Sequence, residues 1–274
     1  EVEVGDTMPD TSKALQRITA ISFHSDDRKQ VYTLKRPEVA MGEEDIGRDY
    51  EIIWFDDEKE LLREAFQVID SYPVVLTYNG DIFDMPYLCN RANVLGLEYN
   101  PFKMMKEKAT LNNGVHIDLY GVFSNRSLKI YAFGAKYITD KLDDVSEAML
   151  GEKKVEYTGS LSDISLNLLS KYCYNDSRLT YELSHYNNDL VMNLLVILCR
   201  IANMPIDDIS RLSISNWIKS MFYNEHRING QLIPRSVDFP RIEGTTTAGV
   251  KGKKYQGAEV LEPVSGIHFG VTVL

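Results

Sequence analysis

Cysteine is scarce in this 274-residue chain: Cys89, Cys173 and Cys199 are odd in number, widely spaced and set in apolar surroundings. That argues against a disulfide scaffold or a thiolate zinc site and predicts buried thiols in a reducing compartment. The five histidines, His24, His116, His185, His226 and His268, lack ligand spacing, so no zinc site is expected. The longest apolar run, residues 194–199, falls far short of the roughly 20 residues a spanning helix requires. No secretory or lipidation signal is read at the amino-terminal end, no internal repeat is visible, and no membrane partner is expected. Basic charge is also in deficit, 30 Lys and Arg against 40 Asp and Glu for a net −10. This opposes a broad basic nucleic-acid surface, but permits an enzyme that meets phosphate through bound cations.

The composition, 44% hydrophobic and 26% charged, suits an ordinary globular protein with a sizeable core. Alternation predicts strands over 17–24 and 30–34, followed by a Pro- and Gly-containing loop over 35–50. Asp56, Asp57 and Glu58 open a helix whose apolar face is Leu61, Leu62, Ala65, Phe66 and Ile69. A strand over 73–77, a helix over 85–95 and a strand-like run over 116–120 follow. A long helix is predicted over 162–186, and a helical stretch over 189–229 in which Pro205 divides two helices. Trp54, Trp217 and the Leu-rich stretch 190–198 read as core. From 230 onward Gly, Pro, Thr and β-branched residues predict a β-rich tail. Early antiparallel strands, then β-α-β and helices, predict an α/β three-layer domain with a helical extension.

Chemistry concentrates in two segments. Tyr78-Asn79-Gly80-Asp81-Ile82-Phe83-Asp84 puts a carboxylate at a strand-to-helix junction, where the plain alternative is a helix N-cap. Asp176 follows Tyr172 by one helical turn, so both side chains share a face. The plain alternative is a buried tyrosine beside a solvated acid. Glu1-Val2-Glu3 adds further acids. Cleaving a phosphodiester requires charge neutralisation and a hydroxide near neutral pH, which two divalent ions about 4 Å apart can supply. Magnesium or manganese would favour such carboxylate oxygens.

Residues 78–88 and 172–176 closely resemble the second and third exonuclease motifs of family B DNA polymerases, which are DEDDy 3′→5′ exonucleases. Residues 116–120 resemble the family's His-hydrophobic-Asp-Leu-Tyr strand, and 176–183 the helix following the third motif. Tyr255-Gln256-Gly257-Ala258 is similar to the linker between exonuclease and polymerase regions, and 270–274 to the strand entering the first polymerase motif. The first motif, Asp-x-Glu, fits less well. Either Glu1-Val2 ends an Asp-Ile-Glu-Val whose aspartate lies upstream, the reading preferred here, or Glu1-Val2-Glu3 is the motif with Glu replacing Asp.

The resemblance implies a ribonuclease-H-like three-layer exonuclease domain with a mixed sheet over 1–188. It further implies a helical connecting region over 189–235, and a linker with the β-rich start of a palm over 236–274. It implies two divalent cations, Mg or Mn. Glu1 and Asp176 would hold the water-activating ion, Asp84 would help hold the second, and Tyr172 would orient the water. Asn79 and Phe83 would contact a primer's terminal nucleotides, and Lys253, Lys254, Tyr255 and Gly257 the template strand; a solvated turn or core packing are the plain alternatives. Asp118 reads as a strand-end structural acid. The implied partner is DNA, as a single-stranded 3′ end or primer-template, with a sliding clamp reached through parts outside this chain. The implied location is intracellular, cytoplasmic at the nucleoid. The chain itself is expected to lack polymerase activity and to have impaired nuclease activity. A stand-alone DEDDy nuclease and an inactive nucleic-acid-binding scaffold are the alternatives.

Overall fold

A computed structural model describes residues 1–3, 9–42, 49–105 and 108–233. The expected β-rich tail, with Lys253, Lys254, Tyr255 and Gly257, lies outside the described residues. The chain divides into two units, Glu1–Glu225 and His226–Leu274. Of the second, the described part holds the end of a helix and a turn in which Gln231 donates its amide to the His226 carbonyl at 2.8 Å.

The first unit is mixed α/β. Strands β1 (Ala20–His24) and β2 (Lys29–Leu34) pair antiparallel, and β3 (Glu51–Phe55) joins β2 in parallel, giving the order β1-β2-β3. The strand expected over 17–24 is shorter than predicted. Ile18 instead forms an antiparallel bridge with Val2, which fastens the first residues of the chain alongside β1. Helix α1 (Glu58–Ser71) starts behind Asp57, whose side chain accepts from the Glu60 amide, and buries Leu61, Leu62, Ala65, Phe66 and Ile69 as its periodicity predicts. Strand β4 (Val74–Thr77) leads to helix α2 (Asp84–Leu95), which ends at a left-handed Gly96.

Several elements were unforeseen. A hairpin of β5 (Phe102–Met105) and β6 (Lys108–Leu111) occupies the stretch before β7 (Val115–Asp118), which pairs parallel with β4. The run expected as strand over 116–120 stops at Asp118, because that carboxylate caps helix α3 (Leu119–Phe123) by accepting from the Tyr120 amide. A π-helical turn (Leu128–Ala132) and helix α4 (Leu142–Leu150) follow.

Helix α5 (Leu166–Ser184) begins later than predicted, since Ser165 is its cap and accepts from the Leu168 amide. Helix α6 (Tyr186–Ala202) is interrupted at its start by left-handed Asn187, Asn188 and Asp189. The stretch expected to hold two helices divided at Pro205 holds three: α6, α7 (Ile206–Arg211) and α8 (Ile214–Ile228). The extra break arises at Leu212, whose backbone is extended, after which the Ser213 carbonyl receives the Asn216 and Trp217 amides.

One core cluster joins α1 and α2 to residues of β1, β2 and β3; a second gathers α3 to α7 with Trp217; a third seats α5 on β1 and β2 through Ala20, Val31, Leu169, Cys173 and Tyr174. Within the stretch 190–198, Val191 and Leu195 are core, whereas Val196 and Ile197 are substantially exposed. Cys89 and Cys173 are buried as expected; Cys199 is only half-buried. Among the described residues no helix is long and apolar enough to cross a membrane.

Candidate active site

Strand β4 delivers Tyr78 to Asp84 into a turn that tertiary contacts fix tightly. Tyr78 donates its hydroxyl to the Asp140 carbonyl at 2.6 Å. Asn79 takes a left-handed φ of 67°. At Gly80 a Cβ would fall 2.2 Å from the Thr77 hydroxyl, so a larger residue would force the turn open. The Asp118 carboxylate closes the arrangement, accepting from the amides of Asn79 at 2.7 Å, Asp81 at 3.0 Å and Tyr120 at 3.0 Å. Asp118 is thus a structural acid that ties the turn to β7 and α3. Although these amides favour its charged form, burial raises its pKa.

Asp84 opens α2, but not as its cap. Phe83 holds the cap position and makes no side-chain capping bond, which leaves the Asp84 carboxylate free to face a cleft of about 1040 Å³. Asp84 is an exposed residue that opens onto that cleft, whose walls still withdraw part of its hydration. Burial, followed by the nearby Glu1 carboxylate, raises its pKa against the pull of the amino-terminal ammonium.

Helix α5 supplies the opposing wall. Its face toward β1 carries Cys173, Asp176, Ser177, Thr180 and Tyr181 at helical spacing, all lining the cleft. Burial pushes Asp176 up to about 6, opposed by Lys154. Lys154 donates to Asp176 Oδ2 at 2.5 Å and to the Tyr172 hydroxyl at 3.2 Å. Asp176 Oδ1 is buried and lacks a hydrogen-bond partner. Burial, with Asp176 close by, pushes the Tyr172 phenol up to about 12.

Glu1 completes the wall. Its amino group donates to the Ala20 carbonyl at 2.5 Å, and its own carbonyl accepts from the Thr19 amide at 2.9 Å.

Glu1, Asn79, Phe83, Asp84 and Asp176 therefore line one cleft; Tyr172 is not among its lining residues and is joined to Asp176 through Lys154. Phe83 is half-buried, stacked on Tyr87 with centroids 5.4 Å apart, so it both packs against the core and faces the cleft. Among the described residues no three His, Cys, Asp or Glu side chains stand close enough to enclose one metal ion as placed. The donors nonetheless suit a hard cation: carboxylate oxygens facing one space, with Asp176 Oδ1 unpartnered.

Sequence reasoning missed two groups. Lys154 comes from a segment without regular structure, and nothing in its local pattern marks it. Asp81 was read only as part of the turn. It accepts from Arg211 of α7 at 2.7 and 3.0 Å, and His116 Nδ1 lies 3.3 Å away. Burial would raise its pKa, yet His116 and Arg211 hold it well below the usual carboxylate range. This cluster locks the turn onto α7 and exposes no free carboxylate oxygen to the cleft.

Comparison with known proteins places these features in context. The family model for "DNA polymerase family B, exonuclease domain" matches residues 1–135. The chain is similar to DNA polymerase 1 of Aeropyrum pernix, 39% identical over 97% of this chain and 28% of that protein. It is 37% identical to DNA polymerase 1 of Sulfolobus acidocaldarius over 97% of this chain and 31% of the relative. A DNA polymerase of Pyrococcus horikoshii is 27% identical over 79% of this chain and 18% of its own length. The chain thus spans less than a third of the length of these curated relatives.

Proposed function

Taking residues 1–135 as an exonuclease domain of DNA polymerase family B, we propose that the acid cleft removes nucleotides from the 3′ end of single-stranded or frayed DNA. The observation that carries this reading is that Glu1, Asp84 and Asp176, from three separate parts of the chain, line one cleft. In this reading the layering is ribonuclease-H-like over 1–188, residues 189–235 form a helical connection, and 236–274 begin a palm. The whole protein would synthesise DNA, working inside the cell with DNA and a clamp reached through other parts. The 274-residue chain alone would not extend primers.

Two magnesium or manganese ions would be held by Glu1, Asp84 and Asp176, supplying charge neutralisation and a hydroxide near neutral pH. The protein's own groups have distinct tasks. Tyr172 orients the attacking water through its hydroxyl, which its raised pKa keeps protonated. Lys154 balances the Asp176 charge when no cation does so, and would give up Oδ2 to a metal. Asn79 and Phe83 contact the terminal nucleotides, Phe83 by stacking or apolar packing on a base. The turn locked by Asp118 and Asp81 keeps Asp84 aimed while the strand enters.

Calorimetric titration of manganese, combined with release of label from 3′-labelled single-stranded DNA, tests the reading. Manganese binding and manganese-dependent release that both vanish in Asp84→Ala and in Asp176→Ala are expected. Unchanged metal affinity in the two variants would overturn the two-ion proposal. A second reading, a scaffold that binds DNA without hydrolysing it, is favoured by the Lys154–Asp176 pair, which neutralises the acid without metal. DNA binding with no manganese affinity at all would select that reading.

A further inference from the structure

We propose that the exposed end of a ladder of aromatic rings beside the acid cleft is a stacking site for a base of the single-stranded DNA whose 3′ end reaches Asp84 and Asp176. This deepens the exonuclease reading and rests on it. The ladder starts at half-buried Tyr50, which stacks on buried Tyr174 with centroids 4.1 Å apart, and Tyr174 meets His24 at 5.5 Å. It continues from His24 to Tyr181 at 4.8 Å, and from Tyr181 to His185 at 4.2 Å with planes 30° apart. Burial falls along the series, from Tyr174 in the core, through half-buried His24 and Tyr181, to exposed His185.

Core packing accounts for the inner rings. It does not account for the outer ones, which line the same cleft as the acids. Tyr181 of α5 and His185, the cap that follows the helix, line the cleft together with Asp176. His185 follows Asp176 by nine positions, a rise of about 13 Å along the helix axis, which places the ring beyond the nucleotide being cleaved.

The outer rings are also held rigid. Tyr181 donates its hydroxyl to Asp26 at 2.6 Å, and His24 Nδ1 lies 3.0 Å from the Tyr174 hydroxyl. His185 Nδ1 lies 2.9 Å from the Ser184 hydroxyl and 3.0 Å from the Tyr181 carbonyl. A ring fixed before binding loses little entropy when a base settles on it. The chemistry here selects a base and not a phosphate. Asp26 accepts the Tyr181 hydroxyl and Asp189 lies 4.0 Å from His185 Nε2, so the edges of the two outermost rings meet acids while the ring faces accept a neutral π surface.

The test measures binding of 5′-fluorescein oligothymidylates of one to six nucleotides to the 274-residue chain, by anisotropy, over a range of salt concentrations. Affinity should step upward at the length that reaches the ladder. In His185→Ala that step should shrink at least about fivefold, the loss expected for one stacked base, whereas His185→Phe should keep it. The salt dependence should be the same in all three, because no phosphate contact is removed. Tyr181→Ala should abolish the step if it folds, and circular dichroism checks that; if it does not fold, the two His185 variants decide. Normal length dependence in His185→Ala would overturn the stacking site and leave the exonuclease reading intact. Failure of the unmodified chain to bind any of these oligonucleotides would overturn both.

Discussion

Two ion pairs, both largely withdrawn from water, show how differently this molecule treats its scaffold and its cleft. Glu58 of α1 and Arg91 of α2, each under 10% exposed, meet in a bidentate pair at 2.8 and 2.6 Å. Arg91 also donates to the carbonyls of Ala14 and Leu15, and Glu58 accepts the Ile18 amide. Every charged end has a partner. In the cleft, Lys154 engages Asp176 through one oxygen and leaves Oδ1 without any, and the carboxyl is raised to about 6. A saturated pair holds a structure in one state; an unsaturated one leaves a carboxylate oxygen available to something else.

The largest effects should separate the two regions most cleanly. Asp84→Ala or Asp176→Ala should reduce manganese-dependent release of 3′ nucleotides by roughly three orders of magnitude or more, while the urea midpoint stays the same or rises. A fall in midpoint as large as that of a core variant would mean that these acids serve the fold. Arg91→Ala should do the reverse. Leaving Glu58 buried and unpaired costs about 3–5 kcal/mol, seen as a lower urea midpoint with unchanged slope. A midpoint shift under about 1 kcal/mol would remove the distinction drawn here.

Acid titration sharpens the contrast, because Asp81 and Asp176 are displaced in opposite directions. The folded pKa of Asp81 lies below its ordinary 3.8, so its contribution is present above that pH and is lost as the pH falls. Asp176 is raised from 3.8 to about 6, so the folded state binds its proton more tightly. That stability is present below about pH 4 and is lost as the pH rises through 6. Asp81→Asn should therefore destabilise the protein at pH 7, with a penalty that shrinks toward pH 2. Asp176→Asn should stabilise it at pH 7 by about 1–2 kcal/mol, a gain that disappears below pH 4. Urea titrations of both variants from pH 3 to 8 check this; slopes of the same sign would refute it.

Legibility in the sequence followed the range of the interactions. The helix over 58–71, the strand before Tyr78 and the pairing of Tyr172 with Asp176 are written in local periodicity, and each was readable. Glu58 was legible only as an acid suited to a helix start. Its carboxylate in fact serves Arg91 and the Ile18 amide, contacts that only the tertiary fold creates. Lys154 is similar: its partner is 22 residues away, and no spacing rule links them. The hairpin of β5 and β6 escaped because its four-residue strands carry lysines and lack the continuous apolar run that marks the equally short β4. The break at Leu212 carries neither Gly nor Pro, the residues that usually punctuate a helix.

The smallest expected effect isolates what a side chain adds at a strained position. Asn79 in the cleft turn and Asn203 after α6 both adopt left-handed backbone, with φ of 67° and 54°. Glycine accepts that conformation without steric cost, so either Asn→Gly substitution should shift stability by no more than about 1 kcal/mol. Asn203 serves only to end a helix, its amide reaching the Cys199 carbonyl, and Asn203→Gly should leave DNA binding untouched. Asn79 has the same backbone task, performed by an amide that donates to Asp118, but its side chain lines the cleft. If that side chain contacts a terminal nucleotide, Asn79→Gly should keep the urea midpoint and still weaken oligothymidylate binding severalfold, the worth of one or two hydrogen bonds. Equal binding by the two variants would reduce Asn79 to a turn residue and leave recognition of the strand's end to Phe83.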